Sequence, residues 1–443
     1  MGQRSRTLTE ILGFSGWRAS DSRWETKEGK PVLVIRGVVP AGVKLVIVLE
    51  RKWAPKCAFC GALRQVVHEQ LELRRWADLP WATHPVELEY APVRIRCRRC
   101  EGRRVEFLSW ADPFQRQTRR LQHHLAVEAE SMPVMHVAAL HKLSWRTVRR
   151  AEGAALARWL AQQLPALLRH VGVDEKWLGH RHKLDHKYVT IVSNLETGEP
   201  IWMGPGRGQA TLASWIATLS AEQKAAIQLF SMDMHDPFVA AVRADPDLAH
   251  AAIAHDPFHV VKRAGQAVDE LRRQVFFRAG EARRGIGKGS RWLLLRAWER
   301  CTEAEQEKLT FLLAYNPLLA RAYQIKEELR QVLRAPDRAS MEIGFDRILR
   351  RTQARRHVPL RKLHEALKKR RERILALGEH HPSTGRVEAL NNNWETLVRR
   401  ARGYRDYDYL LLKLRFSTAN PLRTHGGVDR FLALACDDQR KAA

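Results

Sequence analysis

The chain has 443 residues, more than one ordinary hydrophobic core accommodates, so roughly two to four domains are expected. Apolar residues make up 45% and charged residues 28%, with 14 tryptophans, and this composition excludes a disordered chain. The 76 lysines and arginines exceed the 49 acidic residues and give a net charge of +27, which predicts a polyanionic partner bound with salt-sensitive affinity. A merely basic protein is the alternative.

No targeting or membrane segment is apparent in the sequence. The first residues lack the apolar core of a signal peptide, and no window approaches the roughly 18 apolar residues of a membrane span. We therefore expect a cytoplasmic protein with no membrane partner.

Residues 1–112 are predicted to form a β-rich module. A short N-terminal helix precedes β-branched stretches at 31–39 and 43–49, which predict a small sheet. The run 86–96 predicts one further strand, in which Val93 and Ile95 lie on one face and Arg94 and Arg96 on the other.

Four of the six cysteines occur as two close pairs, Cys57 with Cys60 and Cys97 with Cys100. In a reducing compartment this spacing indicates metal ligation, and four thiolates complete a closed tetrahedral site. We therefore predict a structural Zn²⁺ that holds this core-poor module together. The 36 residues between the pairs exceed the usual ribbon loop, so His68 or His84 is an alternative ligand.

Residues 113–165 are predicted to form a helix-turn-helix DNA-binding region. Three helical segments follow one another at 121–130, 133–140 and 144–160, and Ser144 is suited to cap the third. A plain helical linker is the alternative. A recognition helix presents its base-reading and phosphate-contacting groups near its start. The predicted DNA-binding residues there are Arg146, Arg149 and Arg150.

The rest of the chain is predicted to be mixed α/β with a long helical segment, which makes the whole protein multidomain α+β. The order of elements matches a ribonuclease-H-like core, formed by residues 166–260 and 380–425, with an all-helical insertion at 261–379. Strands are predicted at 170–174, 188–195, 201–204, 227–233 and 250–256, and helices at 210–219, 237–244 and from about Gly385 onward.

Two aspartates follow apolar strands of this core. Asp174 ends Val171-Gly-Val-Asp, and Asp233 ends the strand at 227–233, so each carboxylate is expected at a sheet terminus. Paired carboxylates hold hard cations, and two Mg²⁺ or Mn²⁺ ions stabilise both the attacking and departing oxygens of a phosphodiester exchange. Glu388 is predicted as the third ligand, on a helix face that also carries Asn391 and Asn392. Glu175 is a rival, although adjacent strand residues point to opposite faces.

Several motifs together resemble a known family. They are the cysteine pairs, the helix-turn-helix region, Val173-Asp-Glu-Lys, Ser231-Met-Asp-Met, Asp256-Pro-Phe-His-Val-Val-Lys, Thr384-Gly-Arg-Val-Glu-Ala-Leu-Asn-Asn and Arg400-Ala-Arg-Gly-Tyr-Arg-Asp-Tyr. Over nearly the whole chain they resemble the ISL-three family of bacterial insertion-sequence transposases, which have a DDE catalytic fold. The resemblance implies an Asp-x-x-His motif after the second catalytic aspartate, matched by Asp256 and His259. Asp233 is therefore preferred over Asp256 as metal ligand, and His259 is predicted to be catalytic or DNA-orienting, with a buried structural histidine as the alternative.

A basic and aromatic stretch follows Glu388 and predicts phosphate contacts near the active site. Its tyrosines are Tyr404, Tyr407 and Tyr409, and the predicted DNA-binding residues are Arg399, Arg400, Arg402 and Arg405.

The resemblance implies a DNA transposase that cleaves and transfers strands at insertion-sequence ends. Its partners would be double-stranded DNA, as terminal inverted repeats and as target, and a homodimer or higher oligomer on that DNA. Its location would be the bacterial cytoplasm, at the nucleoid. The alternatives are a transposase-derived DNA-binding regulator without cleavage activity and a nuclease that does not join.

Overall fold

The structure, a computed structural model, describes residues 2–26, 28–32, 42–163, 167–178, 187–278, 281–353, 356–382, 384–401, 404 and 406–435. The chain forms two compact units: Met1–Leu164 with Ala419–Ala443, and Pro165–Thr418. Within the described ranges, no helix combines the length and the apolar character needed to cross a membrane. The finer division into four domains stays a prediction.

The N-terminal part of the first unit contains two sheets. A five-stranded sheet has the order β2-β1-β3-β6-β5, and a three-stranded sheet has the order β4-β7-β8. Trp17, Trp76 and Trp110 pack edge-to-face in the core, which accounts for part of the high tryptophan content. The elements are α1 (Gly2–Leu12), β1 (Trp17–Glu25), β2 (Pro31–Val32), β3 (Lys44–Arg51), β4 (Val66–Gln70), β5 (Arg74–Trp81), β6 (His84–Tyr90), β7 (Val93–Arg96) and β8 (Arg103–Val105).

One predicted strand is wrong in its extent. The run 86–96 divides into β6 and β7, which belong to different sheets, because Pro92 lacks the N–H that a continuous ladder requires. The predicted alternation within β7 is confirmed: Val93 and Ile95 are buried, whereas Arg94 and Arg96 are more exposed. The predicted strand 31–39 begins as β2, and its residues from 33 onward lie outside the described residues.

The predicted three-helix segment is confirmed. It consists of α2 (Arg119–Ser131), α3 (Val134–Leu140) and α4 (Trp145–Leu160). Ser144 caps α4 as predicted, since its hydroxyl accepts a hydrogen bond from the Thr147 amide at 3.1 Å. Leu125, Val137 and Val148, one from each helix, are fully buried in a shared core.

The second unit contains the predicted mixed five-stranded sheet. Its strand order is β11-β10-β9-β12-β13, in which β9, β10 and β11 are antiparallel neighbours and β12 runs parallel to both β9 and β13. The elements are β9 (His170–Trp177), β10 (Tyr188–Asn194), β11 (Pro200–Pro205), α5 (Gln209–Ile216), α6 (Ala221–Ala226), β12 (Leu229–Met232), α7 (Asp236–Arg243) and β13 (Ala252–His255). β9 extends beyond the predicted end at Asp174 because β10 continues to pair with it.

The rest of this unit is helical, and the described residues between Pro257 and His380 contain no strand. Their apolar side chains form one large core. The helices are α8 (Pro257–Arg272), α9 (Glu281–Gly287), α10 (Ser290–Leu295), α11 (Glu303–Ala314), α12 (Pro317–Val332), α13 (Arg338–Thr352), α14 (Val358–Lys369), α15 (Arg371–Leu375) and α16 (Leu377–His380).

Two last helices of the second unit cover one face of the sheet. These are α17 (Thr384–Ala401) and α18 (Tyr407–Ala419). Leu390 and Trp394 of α17 share a core with Leu410 of α18 and with Val189 and Ile191 of β10. This packing places the start of α17 beside the cavity described next. In the first unit, a final short helix, α19 (Gly427–Ala433), contacts α2.

Candidate active site and DNA-binding surfaces

Strand register brings three aspartates into one row. Met232 of β12 lies opposite Val173 of β9 and opposite His255 of β13. The next residue along each chain is therefore Asp174, Asp233 or Asp256. Neighbouring parallel strands share the direction of their side chains at aligned positions, so the three carboxylates face the same side of the sheet.

These aspartates line one cavity of about 490 Å³, counting the part open to solvent. Its wall also includes His259 from the first turn of α8, Lys176 from β9, and Asn391 from α17. The structure thus brings together the predicted residues Asp174, Asp233 and His259, and adds Asp256.

His259 lies between two of these carboxylates. Its Nδ1 is 2.9 Å from Asp233 Oδ1, and its Nε2 is 3.8 Å from Asp256 Oδ2. Burial would lower the pKa of His259, but the hydrogen bond to Asp233 and the nearby carboxylates raise it above its usual value. Burial would likewise raise the pKa of Asp233, but the hydrogen bond from His259 holds it below its usual value. The histidine and Asp233 therefore form a charge-assisted pair.

The Asp256 side chain is largely buried. Burial raises its pKa, and the negative charges of Asp174 and Asp233 act in the same direction, against the opposing effect of His259. Its Oδ1 accepts the Phe258 amide and caps the start of α8.

Lys176 neutralises the first aspartate. Its Nζ lies 2.6 Å from Asp174 Oδ2, and the two side chains stand two residues apart on one face of β9. Glu175 points to the other face and pairs with Arg207 at 3.1 Å, as the alternation of strand side chains predicts. Sequence reasoning did not identify Lys176, although its spacing of two residues from Asp174 within Val173-Asp-Glu-Lys was a sufficient signal.

Glu388 does not line this cavity. It is exposed, near the start of α17, one helical turn before Asn391. Asp174, Asp233 and Glu388 are not among the described groups whose ligand atoms all lie within 4.8 Å of one another. Asn391 does reach the cavity, and its Oδ1 is buried without a hydrogen-bond partner in the described part of the chain. Asn391, one turn after the predicted ligand Glu388, thus brings a side-chain oxygen of α17 to the aspartates.

The four paired cysteines form a compact cluster in the first unit. Cys57 and Cys100 have their sulfurs 3.8 Å apart, those of Cys60 and Cys97 are 3.4 Å apart, and all four lie within 4.8 Å of one another. Hydrogen bonding, first from the Cys100 backbone, lowers the pKa of the Cys97 thiol to about 6. This arrangement is compatible with a closed zinc site, and neither His68 nor His84 belongs to the cluster.

The predicted DNA-binding arginines of the first unit lie on α4. Arg146 and Arg150 are exposed and one helical turn apart, whereas Arg149 is half-buried. The Arg146 guanidinium lies 5.7 Å from the ring centre of the exposed Trp145. A basic, solvent-facing surface therefore begins at the N-terminus of the third helix.

The second predicted basic stretch is described only in part. Arg399 is exposed and pairs with Glu395 at 2.8 Å, and Arg400 is half-buried at the end of α17. Tyr404 is buried with its ring 6.0 Å from that of Tyr409. Arg402 and Arg405 lie outside the described residues.

Two family models match the chain. One is described as "Transposase" and matches residues 171–414, and the other is described as "Helix-turn-helix domain of transposase family ISL3" and matches residues 106–151. The first match contains all the cavity residues named above, and the second contains α2, α3 and the start of α4.

Curated relatives align with almost the whole chain. The transposase for insertion sequence element IS1001 of Bordetella parapertussis is 30% identical over 414 residues, covering 93% of this chain and 97% of the relative. The transposase for insertion sequence element IS1557 of Mycobacterium tuberculosis is 30% identical over 441 residues, covering 93% of this chain and 92% of the relative.

Proposed function

Since the chain belongs to the ISL3 family of insertion-sequence transposases, we propose that it cleaves and joins DNA at a site formed by Asp174, Asp233 and Glu388. The observation that carries this proposal is the strand register that aligns Asp174 and Asp233 beside His259 in one cavity. Membership of this family implies that the chain binds DNA and uses divalent ions. The net charge of +27 suits binding to a phosphate backbone.

The sheet supports a ribonuclease-H-like core. Three antiparallel strands in chain order are followed by two strands that extend the other edge in parallel. The helices from Pro257 to His380 then form the insertion before α17 returns to the sheet. The predicted boundaries, 166–260 with 380–425 for the core and 261–379 for the insertion, are part of the proposal.

The residues at the cavity suit hard divalent cations. Asp174 and Asp233 offer carboxylate oxygens, and Asn391 adds a buried amide oxygen that has no partner in the described structure. In the proposal Asp174 and Asp233 hold Mg²⁺ or Mn²⁺, and Glu388, one turn from Asn391, completes the ligand set. Two such divalent ions, when bound, would supply an activated oxygen nucleophile and stabilise the attacking and departing oxygens of the phosphodiester.

The remaining side chains of the cavity orient the proposed metal ligands and offset their negative charge. His259 donates to Asp233 and fixes the direction of its second oxygen, while Asp256 holds the far side of the same imidazole. Lys176 offsets the charge of Asp174. His259 therefore acts as a positioning residue for Asp233, which is the role we propose in place of a direct proton transfer.

DNA recognition is assigned to the first unit. Arg146, Arg149 and Arg150 of α4 would contact the inverted repeats, and the cysteine cluster with a structural Zn²⁺ would stabilise the module before them. Arg399, Arg400, Arg402 and Arg405 would contact phosphates near the cavity. Because two element ends must be handled together, we propose a homodimer or higher oligomer on the DNA, at the bacterial nucleoid.

The test is a strand-transfer assay with a linear donor carrying the element's inverted repeats, a target plasmid and Mg²⁺. We expect wild-type protein to cleave and join, and Asp233→Asn and Glu388→Gln to lose both steps by more than a hundredfold. Asp236→Asn is the matched control, because Asp236 is only three residues from Asp233 but pairs with Lys369 outside the cavity.

Three outcomes contradict parts of the proposal. Full activity in Asp233→Asn would remove the site, and full activity in Glu388→Gln alone would remove the third ligand. Cleavage without joining of pre-cleaved ends would identify a nuclease instead.

A further inference from the structure

Two histidines and a glutamate meet within the helix-turn-helix region. His124 and Glu128 lie one turn apart on α2, and His141 directly follows α3. His141 Nε2 lies 2.6 Å from Glu128 Oε2, and His124 Nε2 lies 3.4 Å from Glu128 Oε1. One ligand atom from each residue can be chosen so that all three lie within 4.8 Å of one another. Neither the cysteine cluster nor the carboxylate cavity includes any of them.

The chemistry and spacing suit one transition-metal ion. Imidazole nitrogen and carboxylate oxygen bind zinc at roughly 2.0 to 2.2 Å, so adjacent ligand atoms around a tetrahedral ion stand roughly 3.3 Å apart. The 3.4 Å contact of His124 matches this value, and the 2.6 Å contact of His141, made to the other carboxylate oxygen, is a hydrogen bond that must open by roughly 0.7 Å when an ion binds. Two imidazoles favour the zinc class of dications over Mg²⁺ or Ca²⁺, which prefer oxygen.

The ligands are held by the backbone around them. An i, i+4 pair on a helix presents both side chains on one face, which fixes His124 and Glu128 relative to each other. The His141 amide donates to Val137 O at 3.1 Å, and Leu143 N donates to Ala138 O at 2.9 Å, so the turn that carries His141 is closed by its own hydrogen bonds. Exposure of the side chains falls from 39% for His124 to 24% for Glu128 and 11% for His141, which leaves one side of the group open to water.

We propose that His124, Glu128 and His141 bind one divalent ion of the zinc class, with water in the fourth position. The ion ties the first helix of the helix-turn-helix to the end of the second. That end leads directly into the turn before α4, the helix that carries Arg146 and Arg150. Occupancy of the site therefore stabilises the position from which the third helix begins, and binding of element ends becomes dependent on this ion as well as on the cysteine cluster.

The first test counts bound zinc in the full-length protein. Wild type, His124→Gln and the control His136→Gln are dialysed against zinc buffered in the low micromolar range. Their zinc content is then measured by inductively coupled plasma mass spectrometry. His136 is exposed on α3 and lies outside the cluster. We expect His124→Gln to hold one zinc per chain fewer than the other two proteins. Equal zinc in all three would overturn the proposal and leave a metal-free His–Glu–His hydrogen-bonded group.

The second test uses wild-type protein alone and does not depend on how a variant folds. Hydrogen exchange of the amides in α3 and the following turn is compared at zinc concentrations that fill the cysteine cluster only and at higher concentrations. Binding at a hundred times the dissociation constant suppresses the open form about a hundredfold, so exchange through that opening slows by the same factor. Unchanged exchange across the whole zinc range would also overturn the proposal.

Discussion

Replacing Asp112 by asparagine is expected to loosen the helix-turn-helix region strongly. Asp112 Oδ1 lies 2.8 Å from Arg119 Nε on α2, and its Oδ2 lies 2.5 Å from an Arg158 nitrogen on α4. The three side chains are only 20%, 12% and 14% exposed, so the carboxylate is the counter-charge of two largely buried guanidinium groups. Arg158 also donates to His123 and Gln122 of α2, which makes this network a direct link between the first and third helices.

The magnitude follows from burial and from the number of bonds. A hydrogen bond to a charged group contributes about 1.5 to 3 kcal/mol, and breaking a buried ion pair costs about 3 to 5 kcal/mol, so we expect Asp112→Asn to lower the free energy of unfolding of the first unit by about 3 to 5 kcal/mol. Glu50→Gln is the matched control. The Arg18–Glu50 pair, in the same unit, has side chains that are 61% and 49% exposed, and such pairs contribute about 0 to 1 kcal/mol.

The effect has a defined pH dependence. Burial would raise the pKa of Asp112, but the charges of Arg158 and Arg119 hold it below its usual value. A carboxyl whose folded pKa is lowered stabilises the folded state above its unfolded pKa of about 3.9, and this contribution is lost as the pH falls through the lower folded pKa. Wild type and Asp112→Asn should therefore differ fully at pH 7 and converge in strong acid.

The assay is a urea titration in which unfolding is monitored by hydrogen exchange. Exchange is read at the amides of α2 and α4, so the signal reports the first unit specifically. Binding of DNA ends should weaken in parallel. The inferred role of the buried carboxylate would be wrong if Asp112→Asn were no more destabilised than Glu50→Gln at pH 7. It would also be wrong if the difference in stability between wild type and Asp112→Asn grew toward low pH.

Three further predictions concern separate parts of the chain. Cys97→Ser should lose one bound zinc and destabilise the β-rich module, as measured by metal content and proteolysis, whereas Cys301→Ser, outside the cluster, should keep full zinc content. Arg150→Ala should weaken binding of all DNA sequences similarly and reduce the slope of log affinity against log salt by about one, as measured by fluorescence anisotropy; a sequence-selective loss would instead indicate base contact. Gly378→Ala should lower the free energy of unfolding of the second unit by about 1 to 3 kcal/mol, because a Cβ there would lie 2.8 Å from Arg338 Cα and 2.9 Å from its amide nitrogen; an unchanged urea midpoint would contradict this.

The sequence was sufficient for features with a local signature. The three helices carry cap residues such as Ser144 and a 3.6-residue apolar period, and the strands that lead to Asp174 and Asp233 are apolar runs. Both kinds of signal arise from contacts within a few residues. The cysteine cluster was predictable for the same reason, since each pair of ligands is local.

Features that depend on register or on distant pairing were not predictable. The sequence marked Asp256 as part of an Asp-x-x-His motif, but its alignment with Asp174 and Asp233 exists only once β12 pairs with both of its neighbours. The break at Pro92 moves one half of an apparently continuous strand into another sheet. His141 meets Glu128 only through the packing of α3 on α2, and no sequence spacing marks it as a partner.

The row of aspartates also explains which neighbours the cavity needs. Three carboxylates on adjacent strands repel one another, and burial increases this cost, as the raised pKa of Asp256 shows. Lys176 and His259 offset two of the negative charges through contacts of 2.6 and 2.9 Å, each with a different aspartate. The proposed third ligand, Glu388 of α17, would be a fourth carboxylate beside these two cationic side chains. Glu388 lies on a helix and not on a strand of the sheet, so pairing of the strands does not hold it in register with the three aspartates.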